Sequence, residues 1–211
     1  MFGDGALTFR EFMIREPLPL ATIHDAVLEF LRGREDAVLC GAQAVNAYVE
    51  EPRMTQDVDI ASTRAEELAG ELRDFLNQRF HIAVRVRNIR DGLGNRIYQL
   101  QKPKNRHLVD VRPVDVQPPS QRVNEVLVVT PSELIAEKVV STIERSDPAK
   151  SFTDRADLIR LLRVFPQLKA QDGPVAERLR AADASEQVMA AWKELVAQEI
   201  QPEDEDDEFD Y

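Results

Sequence analysis

The sequence predicts an α+β fold, a mixed sheet flanked by helices and followed by a C-terminal helical domain. Three observations predict it. Between Ala21 and Arg112 the apolar pattern runs helix, strand, helix, strand, helix, and then several strands in succession. Within that region Ile82, Val84 and Val86 alternate with Ala83, Arg85 and Arg87, the period of a half-buried strand. After Thr130 the composition turns helical.

Residues 1–20 carry no clear period, and Pro17 and Pro19 close that stretch. From Ala21 to Leu31, Ile23, Ala26, Val27, Phe30 and Leu31 recur at helical spacing. Ala37–Cys40 reads as a short buried strand ended by Gly41, and Ala42–Tyr48 as a helix. A loop containing Pro52 leads to a second strand, Asp57–Ala61. Thr63-Arg64-Ala65-Glu66 has the form of a capping box and places a helix start at Arg64, with Leu68, Leu72, Phe75 and Leu76 as its stripe. Beyond the alternating strand, Asp91–Asn95 supplies a turn, Arg96–Gln101 a hairpin partner and His107–Arg112 another strand. Val114–Asn124, with Pro118-Pro119, reads as a linker, and Val126–Val129 as a short strand. Thr130-Pro131-Ser132-Glu133 is a helix start, and helices are predicted at 131–145, 152–164, 174–182 and 184–199. The predicted plan is a sheet domain over 1–120, a helical domain over 121–201 and a disordered acidic tail over 202–211.

Composition narrows the function classes. No apolar run reaches the ~20 residues that span a bilayer, and the N-terminus lacks a signal-peptide pattern, so no membrane association is expected. With Cys40 as the single cysteine, no internal disulfide can form, and a cytoplasmic location is the simple reading. Cys40 lies in an apolar strand, where a thiol is expected to be buried and inert. The net charge is −11, but seven of the acids lie in residues 203–211. Between Arg79 and Arg112, nine Arg and Lys face only Asp91 and Asp110. A basic segment inside an acidic chain suits a polyanionic substrate, because local field steers a ligand more than net charge does.

The chemistry concentrates around Asp57-Val58-Asp59. Carboxylates at i and i+2 on a strand share a face, repel one another, and are tolerated where a cation lies between them. Asp110 stands on a later strand among Leu108, Val109 and Val111, where an unpaired carboxylate is costly. If its strand adjoins that of Asp57, all three acids meet; otherwise Asp110 forms a salt bridge with Arg112 or a neighbouring strand. Lys138 falls beside Leu134, Ile135 and Val139 on an apolar helix face, so its amine either reaches inward to phosphate or snorkels to solvent. Arg53 and Thr55 either touch phosphate from the loop or fix that loop, Arg53 being the better phosphate donor. Ser151–Asp154 fits a helix start with an acid at its third position, sufficient reason for Asp154 by itself. His24, His81 and His107 are scattered and suggest neither zinc site nor triad, and Trp192 reads as core.

The spacing carries more than the Asp pair does. An apolar strand ending in Gly41, a short helix and then R-x-T-x-D-x-D resembles the nucleotidyltransferase superfamily signature, and more narrowly the AbiEii-like abortive-infection toxin nucleotidyltransferases. The resemblance extends to Asp110 as third carboxylate. It reaches the helical half through E-L-I-A-E-K-V-V-S-T-I-E-R and D-R-A-D-L, which place Lys138, Asp154 and Asp157 in the family's later lysine and acidic motifs. It implies a nucleotidyltransferase-like sheet and a metal-dependent transfer of a nucleoside monophosphate from an NTP, ATP included, to an acceptor hydroxyl on RNA, nucleotide or protein. Asp57 and Asp59 would hold Mg²⁺ or Mn²⁺, and Asp110 would complete the site and help deprotonate the acceptor. The Gly41-Ala42 turn would cradle the triphosphate, with Arg53, Thr55, Lys138 and Asp154 beside it. A cognate antitoxin is the implied protein partner. One residue departs from the pattern: where the family has a second Gly or Ser, this chain has Ala42, which keeps the N–H but not a hydroxyl. The alternative is a non-catalytic nucleotide- or partner-binding member of the same fold. A nucleotide-sugar glycosyltransferase reading of Asp-Val-Asp is disfavoured by the Gly-helix-strand prelude.

Overall fold

The computed structural model of the chain describes residues 18–89 and 92–200; the readings of residues 1–17 and of the acidic tail lie outside them. Among the described residues the order is α1 (Leu20–Leu31), β1 (Val38–Cys40), α2 (Gly41–Asn46), β2 (Val58–Ser62), α3 (Ala65–Phe80), β3 (Val84–Ile89), β4 (Gly94–Gln99) and β5 (Arg106–Pro113). There follow β6 (Ser120–Val123), β7 (Val126–Val129), α4 (Pro131–Glu144), α5 (Pro148–Val164), a short 3₁₀ turn (Pro166–Leu168), α6 (Pro174–Ala181) and α7 (Glu186–Ala197). The α+β class predicted from the pattern is the class observed.

All seven strands form one mixed sheet in the order β3-β4-β5-β2-β1-β7-β6. The pairs β2/β5 and β1/β7 are parallel, and the other neighbours are antiparallel. Because directly paired residues share a face, two rows can be read across the sheet. Val86, Ile97 and Val109 form an apolar row, and α3 covers the strands that carry it through Leu68, Leu72 and Leu76, all fully buried. One residue along each strand lies the opposite row, Arg87–Arg96–Asp110–Asp59. Alternation therefore puts the core beneath these strands and the charged groups above them.

Helix α4 ties the helical half together, packing on α5, α6 and α7. Its Leu134, Ile135 and Val139 belong to one apolar cluster with Leu161 of α5, Leu179 of α6 and Trp192 of α7, and the same cluster continues into the sheet. Trp192 is 1% exposed, as a core residue should be. No described helix is long and apolar enough to cross a membrane.

Several boundaries differ from the sequence reading. Residues 120–123, read as linker, form the edge strand β6, so the sheet continues to Val129 before the helices begin. Gln121 and Arg122 are exposed, as suits an edge, and leave no alternation to read. The Thr63–Glu66 capping box is not made. Arg64 is the N-cap residue of α3, and the Ser62 hydroxyl accepts its backbone N–H. Helix α5 starts at Pro148, four residues before the predicted 152. Asp147 caps it by accepting from the N–H groups of Ala149 and Lys150, so Asp154 lies mid-helix and the helix-start explanation for it fails.

Cys40 is buried in β1, and burial pushes its thiol up to about 12. The native protein is therefore expected to resist a maleimide reagent at neutral pH and to react stoichiometrically once unfolded in guanidinium. Rapid labelling of the folded chain would contradict this.

Candidate active site

The parallel ladder between β2 and β5 is the structural event that makes the site. It sets Asp59 directly opposite Asp110, and Asp57, two residues before Asp59, comes to the same face. Asp110, more than fifty residues further along the chain, thus joins Asp57 and Asp59 on one face of the sheet. The Asp59 carboxyl is held above its usual range by burial first, then by the negative charges of Asp57 and Asp110. A half-buried carboxylate beside two others is a site short of positive charge.

Two side chains partly supply that charge. Arg96 of β4 donates two parallel hydrogen bonds to Asp110, at 2.9 and 2.8 Å. His107 bridges the acids, with Nδ1 at 3.0 Å from Asp57 Oδ2 and Nε2 at 3.0 Å from Asp110 Oδ1. The hydrogen bonds to Asp110 and Asp57 raise the imidazole to about 9. Burial alone would raise the Asp110 carboxyl, but His107 and Arg96 override it and bring it to about 2. Asp110 does form a salt bridge, to Arg96 on the neighbouring strand rather than to Arg112, whose guanidinium lies 3.6 Å from Glu137.

The sequence reading missed His107, which it placed among scattered histidines. A step of three residues on a regular strand would put His107 and Asp110 on opposite faces. The β4/β5 register shifts between them: Ile97 pairs with Val109 and Tyr98 with His107, leaving Leu108 without a partner. This bulge returns His107 to the side of Asp110.

Gly41 lies where β1 gives way to α2, with φ of 63°. A Cβ placed on it would come 2.1 Å from Asp59 Oδ2, so the missing side chain is what admits the carboxylate. Gly41→Ala would combine that clash with left-handed backbone strain of about 1–2 kcal/mol. We expect a lower melting midpoint and a displaced Asp59, seen as weakened divalent-cation binding in a calorimetric titration. The next residue, Ala42, contributes its backbone N–H at the first turn of α2.

A second charged cluster lies beside the first. Asp157 on α5 is fully buried and accepts two hydrogen bonds from Arg53, at 2.7 and 2.8 Å, and a third from Lys138 Nζ at 2.8 Å. Lys138 also binds Asp154 at 2.7 Å and is 6% exposed, so it turns inward and the snorkelling reading is overturned. It meets carboxylates there. Arg53 likewise fixes its loop to α5, while Asn46 of α2 holds the loop backbone through the Arg53 N–H and C=O. Thr55 is buried and accepts from Gln43 Nε2 at 2.8 Å. The two clusters feel one another, since Lys138 acts to lower Asp59 and Asp57 to raise Arg53.

The residues read from sequence thus fall into two adjoining groups. Asp57, Asp59, Asp110 and Gly41 form the carboxylate centre, and Arg53, Lys138, Asp154 and Asp157 form the buried brace behind it, with Thr55 in the loop between. Chemically, the donor set suits a hard divalent cation. Oxygen ligands predominate, ligand atoms of Asp57, His107 and Asp110 lie within 4.8 Å of one another, and Asp59 carries the shift expected of an uncompensated carboxylate.

Comparison with known proteins bears on the fold and the family. The chain is similar in fold to the Megavirus polyadenylate synthase, with a TM-score of 0.56 and 13% identity over 74% of this chain. It spans only 34% of that enzyme's length. It is also similar to the JHP933 protein from Helicobacter pylori, with a TM-score of 0.50 and 12% identity, covering 91% of each chain. At such identities these likenesses show the fold alone. A search of the curated proteins gives no significant match. A family model described as "Nucleotidyl transferase AbiEii toxin, Type IV TA system" matches residues 25–210. Because that model matches most of its length, the chain belongs to the AbiEii family of nucleotidyl transferase toxins.

Proposed function

We propose that this protein transfers a nucleoside monophosphate from an NTP to an acceptor hydroxyl, releasing pyrophosphate, and that it does so with a divalent cation held by Asp57, Asp59 and Asp110. The observation that carries the reading is the Asp59–Asp110 register on parallel β2 and β5, with Asp57 brought beside Asp110 through His107. When bound, the cation supplies Lewis-acid charge to the triphosphate and aligns the attacking and leaving oxygens. The protein's own contribution is positional and electrostatic. Asp110 lies at the edge of the centre facing β4, where it can accept the proton of an incoming hydroxyl once Arg96 gives way. The Gly41-Ala42 backbone faces the triphosphate with N–H donors.

Arg53, Thr55, Lys138 and Asp154 act on the nucleotide from behind. The Arg53–Asp157 and Gln43–Thr55 bonds hold the 50–57 loop in the position from which Asp57 projects and β2 begins, and Lys138 bonds Asp154 and Asp157 behind it. The acceptor is proposed to be RNA or another polyanion. Arg85 and Arg87 of the edge strand lie exposed, and Arg87 continues the row that contains Arg96 and Asp110. A cytoplasmic enzyme with an antitoxin partner completes the proposal, in keeping with the type IV toxin–antitoxin family.

The test is incubation of the full chain with each labelled NTP, Mg²⁺ or Mn²⁺, and total RNA or lysate. Label should enter a macromolecular product and be lost in Asp57→Ala. Nucleotide binding by calorimetry without any product would instead support the non-catalytic reading, for which Ala42 is the motivating residue.

A further inference from the structure

The bulge in β5 asks for an explanation that the three carboxylates do not give. Transfer chemistry on this sheet needs Asp57, Asp59 and Asp110, and regular alternation along β5 would deliver Asp110 by itself. The bulge serves His107, whose imidazole it brings between Asp57 and Asp110.

We infer that His107 is a nitrogen ligand of the carboxylate centre, and that it makes the centre prefer first-row transition cations such as Mn²⁺ and Co²⁺ to Mg²⁺. The inference rests on the proposed cation site and adds its ligand set and selectivity.

The distances fit. Two ligands at about 2.1 Å from an octahedral ion, set at right angles, are about 3.0 Å apart. The ring nitrogens of His107 lie 3.0 Å from Asp57 and 3.0 Å from Asp110. One nitrogen can therefore share an ion with its carboxylate while the other keeps an N–H···O bond to the second acid. That is the usual arrangement of a ligating histidine, which a carboxylate orients. Charge also balances. Three carboxylates and Arg96 leave two negative charges, which one divalent ion neutralises with the imidazole uncharged. Selectivity follows from ligand type, since imidazole nitrogen favours first-row transition ions, whereas Mg²⁺ takes oxygen and keeps its waters.

The experiment uses the full chain stripped with chelator, without nucleotide. MnCl₂ and MgCl₂ are titrated calorimetrically, and bound Mn²⁺ is examined by electron spin-echo spectroscopy. The wild type should bind Mn²⁺ at least tenfold more tightly than Mg²⁺ and show nitrogen hyperfine modulation. His107→Gln should lose the modulation and most of the preference for Mn²⁺ over Mg²⁺. The wild-type spectrum alone decides the matter should that variant fold poorly. Bound Mn²⁺ with oxygen ligation only would overturn the role of His107 and leave the cation-dependent reading standing. Absence of any Mn²⁺ binding would remove both.

Discussion

Replacing Asp59 with Asn is expected to abolish nucleotidyl transfer while making the protein harder to melt. Losing a carboxylate from the cation centre removes several kcal/mol of transition-state stabilisation, about a thousandfold or more in rate. In the cation-free protein, however, Asp59 is a burden. Its carboxyl is raised by burial and by Asp57 and Asp110, which means the folded state disfavours its charged form. An acid raised in this way lowers stability at neutral pH, and the penalty fades as the pH falls and the group is protonated. Asparagine keeps the shape and removes the charge. The melting midpoint without cation should rise by roughly 2–4 °C, the shift that about 1 kcal/mol produces in a chain of this size. Added Mn²⁺ should reverse the order by stabilising the wild type alone. An Asp59→Asn protein that melts lower than wild type in chelator would contradict the charge argument.

Asp157→Asn should have the opposite character. Burial pushes this carboxyl up, but Arg53 and Lys138 more than compensate and leave it below its usual value. The variant leaves Arg53 without its carboxylate and Lys138 with Asp154 alone, against a neutral amide in a fully buried position. Breaking a buried pair by removing one partner typically costs about 3–5 kcal/mol, so the midpoint should fall by about 10 °C or more. Because the folded carboxyl is depressed, its contribution is present above the unfolded value near ~3.9 and fades as the pH drops further. The gap between wild type and variant should therefore narrow in acid. The exposed pair Arg73–Asp74 is the internal control, and Arg73→Ala should leave the midpoint where it was. Equal melting of the Asp157→Asn and wild-type proteins would remove the brace from the account of the site.

Much of this molecule can be read before folding because its helices and inner strands obey their periods. Ile23, Val27 and Leu31 mark α1, Leu68, Leu72 and Leu76 mark α3, and Val109 and Val111 mark the buried side of β5. The carboxylate centre was legible for a different reason: acids are expensive on apolar strands, so Asp57, Asp59 and Asp110 stand out. What escaped depended on pairing between distant segments. Strand β6 has no apolar alternation and exists because β7 offers it an edge. His107 cannot be placed without the register shift against β4. Arg53 has the donors of a phosphate ligand, yet its partner lies 104 residues away. The start of α5 was readable in principle, since Asp147-Pro148 is a good cap and first residue, but the apolar stripe that draws attention begins later.

That long reach of Arg53 to Asp157 also sets an order of assembly on the ribosome. All three centre carboxylates have been synthesised by Asp110, yet the loop carrying Asp57 gains its buried anchor on Asp157 only once α5 has emerged and folded against α4. A nascent or truncated chain ending before Asp157 holds every acid of the centre but lacks the carboxylate that binds the Arg53 side chain, leaving the loop of Asp57 to its bonds with Gln43, Asn46 and His107. For a protein of a toxin family, the site is thereby finished late in synthesis.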